Sequence, residues 1–467
     1  MKINRYYILF LLVFLSFFSS IFCLSFFKNI NLKNIYIFPL AFSIGLLIFH
    51  KMLINYFKSI VFTVVISEYF FKLVIIPIFL VIGNNYSLLR NVEVYKNMNF
   101  GILLTSYEWF CISFFLYILS KKKVSIITEE KIKLNSKIKI IVFLLLTIVI
   151  IIAFFNSEVL GFSFSIFDFD NTRHLKIRKM QENVSKINYI IYIYCFEYLK
   201  YLLPVYVLGS LEKTKSKILK ILIVILDIIL ILILSGSTLA ETIIVLIVFV
   251  ILVVNIYFFK YKKIIYTSIF SVIGILSILL LGIKSITIMQ INNLTIFDYM
   301  SAILQGYFSG PINVATALSI KKEINGIILM LIDFVKGIII LNPFFKDFSS
   351  SIELFNQTFY NSTRIKDQII PMIGQLYLYF GFLLSPCLLF FIIKLSIFFE
   401  NQSKNSADLF SKFMFIYLSV FLSMSIIMYN LSIVVSKLFM LSIFIIIYLI
   451  ENNIRRKKNV KRIKNLT

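Results

Sequence analysis

The sequence predicts an all-α polytopic membrane protein with about twelve transmembrane helices and a helical loop on its outer side. Three observations carry that prediction. Of 467 residues, 60% are hydrophobic and only 15% charged, against roughly a quarter charged in an ordinary soluble domain. The mean hydropathy of +0.95 comes from long unbroken runs of Ile, Leu, Phe and Val rather than from apolar residues alternating with polar ones. A bilayer-spanning helix needs roughly 20 such residues, and the chain supplies about a dozen runs of that kind. A cytosolic enzyme, a secreted domain and a nucleic-acid-binding protein are excluded. The net charge of +25 has another origin, because the basic residues cluster beside the apolar runs.

The runs place helices at about 6–27, 35–50, 59–82, 100–120, 138–155, 188–209, 218–235, 239–258, 264–283, 372–395, 410–428 and 433–450. The first run follows Lys2 and Arg5 without an A-x-A-like cleavage site, so it reads as a retained span. An even number of spans puts both ends on one side, and the cations decide which. Lys121-Lys122-Lys123, the Lys213/Lys215/Lys217 loop and the tail from Arg455 to Lys464 all fall on the side of the N-terminus. The opposite segments are longer and carry fewer cations per residue, so both termini are expected in the cytoplasm of a cell (inner) membrane. The chain then divides into helices one to five (1–155), an outer charged loop (156–187), helices six to nine (188–283), a large outer loop (284–371), helices ten to twelve (372–450) and a basic cytoplasmic tail (451–467). Inside the large loop, 297–319 and 326–341 are helix-length but interrupted by Asp298, Gln305, Asn313, Asp333 and Lys336. Amphipathic segments of this kind lie flat in the interface. Two further spans there would keep the same parity and stand as the alternative.

Few residues offer chemistry. Cys23, Cys111, Cys195 and Cys387 sit in apolar runs without metal-ligand spacing. His50 and His174 are the two histidines, so no metal site and no cofactor are expected. Ionisable groups inside spans are costly. Glu68 with Lys72, and Glu197 with Lys200, stand four and three apart and are placed to neutralise each other along one helix. Asp227 is mid-span without a local partner, which calls for a hydrogen bond to another helix or for a proton or ion path. Glu108 and Glu241 are expected to snorkel to water. The densest outer charge cluster is Asp168-Phe-Asp170-Asn-Thr-Arg173-His174-Leu-Lys176-Ile-Arg178-Lys179. Cations there point to an anionic ligand, and phosphate suits the arginine fork. The alternative is a solvated loop whose charges keep it out of lipid. Asn361-Ser-Thr-Arg364-Ile-Lys366-Asp367 forms a second basic patch before the tenth span.

Three segments resemble the Wzy-type polysaccharide repeat-unit polymerases, which include O-antigen and capsular polymerases. They are Leu234-Ser-Gly236-Ser-Thr238, Gly306-Tyr307-Phe-Ser-Gly310-Pro311-Ile-Asn313, and Ile373-Gly374-Gln-Leu-Tyr377-Leu-Tyr-Phe380-Gly381. The last is similar to the family's Gly-x-Leu-Tyr-x-Asp-Phe-Gly at the start of a span. The charged loop around Arg173 also lies where these polymerases carry functional arginines. The resemblance covers spans five to twelve. Two positions depart from it, since Thr238 stands where an arginine is expected and Tyr379 replaces the aspartate.

The resemblance implies a GT-C-like membrane glycosyltransferase that transfers a growing glycan from polyprenyl pyrophosphate to the terminal sugar of another lipid-linked repeat unit, outside the membrane. The donor and acceptor are polyprenyl-pyrophosphate-linked oligosaccharides, membrane lipids surround them, and a chain-length regulator is a further family partner. Negative charge gathering on the leaving pyrophosphate would be met by positioned cations without a metal. Arg173, Lys176, Arg178, Arg364 and Lys366 are the candidates for that task. His174, Asp170 and Glu241 are candidates for base assistance, with His174 first because its pKa lies near working pH. Tyr299, Tyr307, Asn313 and Tyr377 are the candidates for sugar contacts. A lipid-linked oligosaccharide flippase and an O-antigen-ligase-like transferase are the competing readings. A flippase usually has short loops and two-fold internal similarity, which the large outer loop and the absence of a visible repeat count against.

Overall fold

The structure is a computed structural model and describes residues 5–27, 29–56, 58–83, 87, 89–121, 136–159, 183–210, 214, 216–234, 239–256, 295–321, 324–338, 340–363, 368–406, 408–442 and 444–446. All extended regular elements among these residues are helices. Seven are long and apolar enough to cross a membrane: Tyr6–Phe26, Ile30–Ile48, Ile60–Ile82, Val92–Ser120, Ile138–Phe155, Ile187–Gly209 and Leu409–Met428. A bent pair makes an eighth if it counts as one span. The span expected at 264–283 lies outside the described residues, as do the turn at 235–238 and the basic tail.

The chain divides into two units. The first comprises residues 1–124, 295–395 and 422–467. Its helices are α1 (Arg5–Phe26), α2 (Ile37–Ile48), α3 (Ile60–Phe70), α4 (Ile76–Ile82) and α5 (Met98–Ser120). A π-turn at Phe71–Ile75 joins α3 to α4. This unit holds a buried ion pair that differs from the expected one. Lys72 Nζ lies 2.9 Å from Glu108 Oε2 on α5 rather than pairing within its own helix. The wide π-turn, which carries an extra residue per turn, swings Lys72 round toward α5. Tyr69 donates its hydroxyl to Glu108 Oε1 at 2.8 Å. Glu108 is therefore enclosed and does not snorkel to water. The carboxylate oxygens of Glu68 are buried without a hydrogen-bond partner among the described residues. Beside this pair the Trp109 ring stacks on Phe42 at 4.8 Å and donates Nε1–H to the Phe42 carbonyl at 3.3 Å.

The second unit comprises residues 125–294 and 396–421. Here α6 (Ser136–Phe155) packs on α7 (Lys186–Gly209), with α8 (Lys217–Leu234) and α9 (Leu239–Ile256) beside α7. Ile152, Val159, Val184, Tyr192, Phe196 and Leu234 form its apolar core. Again the expected local pair is not the closest one. Lys200 Nζ is 2.6 Å from Glu241 Oε2 on α9 and 3.6 Å from Glu197 on its own helix. Asp227 is enclosed on α8, and its carboxylate oxygens meet no hydrogen-bond partner among the described residues.

The large loop of the first unit departs from a surface layer. Residues 297–319 do not make one flat helix. They form α10 (Ile296–Tyr307) and α11 (Pro311–Leu318), divided at Phe308–Gly310, where Ser309 has φ 52°. Thr295 and Asp298 form a capping box that starts α10, and Pro311 starts α11 at a position where its missing N–H costs nothing. Residues 311–317 are all buried, which suits a helix apolar or small on every side. The next helix, α12 (Gly326–Gly337), has two faces. Leu329, Ile332 and Asp333 point inward, while Ile327, Ile328, Leu331 and Phe334 are exposed. A second capping box, Ser350 with Glu353, starts α13 (Ser351–Tyr360).

The segment expected as one span at 372–395 is instead α14 (Met372–Leu384) and α15 (Cys387–Asn405), bent by 114°. Two residues explain the bend. Gly381 has φ 76° and ψ −173°, a conformation open only to glycine. Pro386 then removes an N–H from the ladder just before α15 begins. Gly381→Ala is expected to lower stability by about 1–3 kcal/mol, read as a drop in melting temperature in detergent. Unchanged melting would show that the bend does not depend on that glycine. Helices α16 (Leu409–Met428) and α17 (Leu431–Ser442) complete the described chain.

Candidate functional site

The first unit assembles a buried polar cluster from four segments remote in sequence. Asp333 of α12 is its centre and is fully enclosed. The Ser351 N–H, in the first turn of α13, donates to Asp333 Oδ1 at 3.0 Å. Gln375 Nε2 donates to Oδ2 at 3.2 Å, and the Tyr379 hydroxyl donates to the same oxygen. Gln375 and Tyr379 stand four apart, so one face of α14 presents both donors. The Gln375 amide also donates to Ser351 Oγ at 2.8 Å and accepts the Leu431 N–H at 2.7 Å. Ser432 Oγ closes the cluster on the Asp333 carbonyl at 3.0 Å. Burial pushes the Asp333 carboxyl above the usual carboxylate range, and the donors from Ser351, Tyr379 and Gln375 pull partly against that rise.

Gln375 and Tyr379 of this hub belong to the Ile373–Gly381 segment. Gly374 on α14 faces α11, where an added Cβ would stand 2.5 Å from the Ala317 Cβ. The helix that the Gly306–Asn313 segment leads into, α11, thus packs on the helix that carries the Ile373–Gly381 segment, α14. The Ser309 hydroxyl donates to the Ile427 carbonyl at the end of α16, and Asn97 Nδ2 donates to Ser319 Oγ at 2.9 Å. Asn91 Nδ2 donates to the Thr358 carbonyl at 3.1 Å, and the N–H groups of Arg90 and Asn91 both point at the Phe359 carbonyl.

The residues singled out in the sequence divide into three groups. Asp170, Arg173, His174, Lys176, Arg178, Arg364 and Lys366 lie outside the described residues. Glu241 belongs to the second unit, where Lys200 and the Tyr201 hydroxyl (3.1 Å) bind its two oxygens. The Tyr201 hydroxyl also lies 3.1 Å from that of Tyr417. Glu241 is thus buried rather than snorkelling. Tyr299, Tyr307, Asn313 and Tyr377 belong to the first unit. Tyr299 and Tyr307 are half-buried on α10, and burial with the nearness of Tyr307 raises the Tyr299 pKa. Tyr377 is half-buried with its ring edge-on to Phe100 at 6.1 Å. Asn313 is enclosed, and its amide donates to the Gln305 carbonyl at 3.1 Å, tying α11 to α10 instead of facing outward.

Sequence reasoning missed Asp333 as a centre and Arg90 altogether. No sequence signal marked the first: Tyr379 stands where the resemblance leads one to expect an aspartate, and that departure does not point to Asp333. The carboxylate in contact with that position comes from Asp333 on another helix. Nothing in the sequence distinguishes Arg90 from other loop cations. Comparison with known protein families, curated proteins and solved structures yields no match.

Proposed function

We propose that the protein is a membrane glycosyltransferase that polymerises polyprenyl-diphosphate-linked oligosaccharide repeat units on the outer face of the cytoplasmic membrane. One observation carries the reading: α11, which begins within the Gly306–Asn313 segment, packs in the first unit against α14, which carries the Ile373–Gly381 segment. The segments assigned to the outside by the cation pattern, 83–99, 284–371 and 429–432, also bond to one another there, which supports the topology. On this reading there are about twelve spans, both termini are cytoplasmic, and the exposed apolar face of α12 rests against lipid. The cations at Arg173, Lys176, Arg178, Arg364 and Lys366 stabilise the leaving diphosphate. No cofactor takes part.

Deleting the gene in its native host tests the proposal. Surface glycan is expected to shrink to one repeat unit on its normal carrier. Repeat units accumulating at the cytoplasmic face would mean a flippase, and long lipid-linked polymer that never reaches its acceptor would mean a ligase. In complementation, Arg173→Ala and Arg364→Ala are each expected to abolish or sharply reduce polymer while the protein still accumulates. Full-length polymer from both variants would remove the diphosphate-clamping role of these loops.

A further inference from the structure

The last turn of α13 ends at Tyr360, followed by Asn361 in the left-handed conformation. The final carbonyls of a helix lack intrahelical donors. Here they are served by the segment that precedes α5. The Arg90 N–H donates to the Phe359 carbonyl at 3.1 Å, and Asn91 Nδ2 donates to the Thr358 carbonyl at 3.1 Å. The capping is done by backbone and by Asn91, so the Arg90 side chain takes no part in it. That side chain is exposed, and its guanidinium lies over the Tyr360 ring, 5.9 Å from the centroid. Tyr360 is itself held, its hydroxyl accepting from Gln368 Nε2 at 3.0 Å. Asn356 clamps the backbone of Gln368 through two bonds of 2.9 Å.

A guanidinium carries five N–H donors in a planar fork. Among the described residues none of the Arg90 guanidinium donors meets a protein acceptor, and no carboxylate pairs with it. The neighbouring charges differ, because Lys96 and Glu93 neutralise each other at 3.1 Å. Among the described residues Arg90 is thus a cation without a carboxylate partner, its guanidinium lying over an aromatic face. Such a group loses little freedom on capturing a ligand. The fork matches phosphate oxygens two at a time.

We propose that Arg90 is a phosphate-binding residue and takes one phosphate of the lipid-linked diphosphate substrate. The proposal rests on the polymerase reading above for the substrate, and on the geometry of Arg90, Tyr360 and Gln368 for the site. Tyr360 supplies the ring over which the guanidinium lies, and Gln368 donates to the Tyr360 hydroxyl.

The test is a binding titration of the purified full-length protein in detergent with undecaprenyl diphosphate, inorganic pyrophosphate and phosphatidylglycerol as separate probes. Arg90→Gln is expected to weaken binding of both diphosphates at least about tenfold. Arg90→Lys retains charge but not the fork and is expected to fall between. Lys96→Gln, which removes an already paired cation, is expected to bind as the wild type does. Equal affinity in wild type and Arg90→Gln, for a wild type that binds the diphosphates, overturns the assignment of Arg90 and leaves the polymerase reading standing. A wild type that binds neither diphosphate overturns the polymerase reading and the substrate together. If Arg90→Gln weakens only phosphatidylglycerol, the group is a bulk-lipid headgroup contact, and the substrate assignment fails. Loss of inorganic pyrophosphate binding without loss for the undecaprenyl form also overturns it.

Discussion

Lys72→Ala is expected to reduce stability by about 3–5 kcal/mol, because it leaves the Glu108 carboxylate uncompensated where no water reaches it. Lys72 and Glu108 are 1% and 0% exposed, so solvent offers no screening. The Tyr69 hydroxyl, 2.8 Å away, neutralises none of the charge. Removing both charges is a different matter. Lys72→Met combined with Glu108→Gln is expected to recover most of the loss, since a buried pair can be replaced by neutral groups of similar volume at little cost. Tyr69→Phe removes one hydrogen bond and is expected to cost about 1.5–3 kcal/mol. Thermal unfolding of the four proteins in one detergent decides the point. A single variant that melts like the wild type would mean that the pair is open to water and was misread as buried.

How much of this was legible in the sequence follows from what each signal measures. Apolar run length reports whether a stretch suits a membrane, and it placed Tyr6–Phe26, Ile60–Ile82 and Ile138–Phe155 to within a few residues. It is blind to a backbone angle, which is why 372–395 read as one straight span although Gly381 bends it. It is equally blind to a helix enclosed on all sides, so Pro311–Leu318 read as part of a surface segment. Spacing along one helix proposed Glu68 with Lys72 and Glu197 with Lys200. The nearest partners come from other helices, because a long side chain in a bundle meets whichever facing helix offers a carboxylate. The same limit applies to the polar cluster. Asp333, Ser351, Gln375 and Ser432 are each unremarkable in sequence, and only the packing of their helices brings them together. The resemblance pointed at Tyr379 as a missing carboxylate. It had no means of pointing at Asp333, whose carboxylate accepts the Tyr379 hydroxyl.

Asp333→Ala is expected to cost about 3–5 kcal/mol, since each buried donor left without its acceptor costs about 1–3 kcal/mol. Three donors lose their acceptor at once: the Ser351 N–H, the Gln375 amide and the Tyr379 hydroxyl. Ser351 opens α13, so the loss is expected to loosen the start of that helix, the end opposite to Tyr360 and Arg90. Arg90→Gln alone leaves that network intact, so binding and stability separate in the two variants. Asp333→Asn keeps the shape and gives the pH dependence a definite sign. The Asp333 carboxyl titrates above its usual range because burial disfavours the charged form. Its contribution to stability is therefore fully present below the ordinary carboxylate range and is lost as pH rises through the elevated folded value. The gap in melting temperature between wild type and Asp333→Asn is expected to be widest in acid and to narrow toward neutral pH. A gap that widens with rising pH would mean that the donors outweigh burial and that the carboxylate is the form the fold prefers.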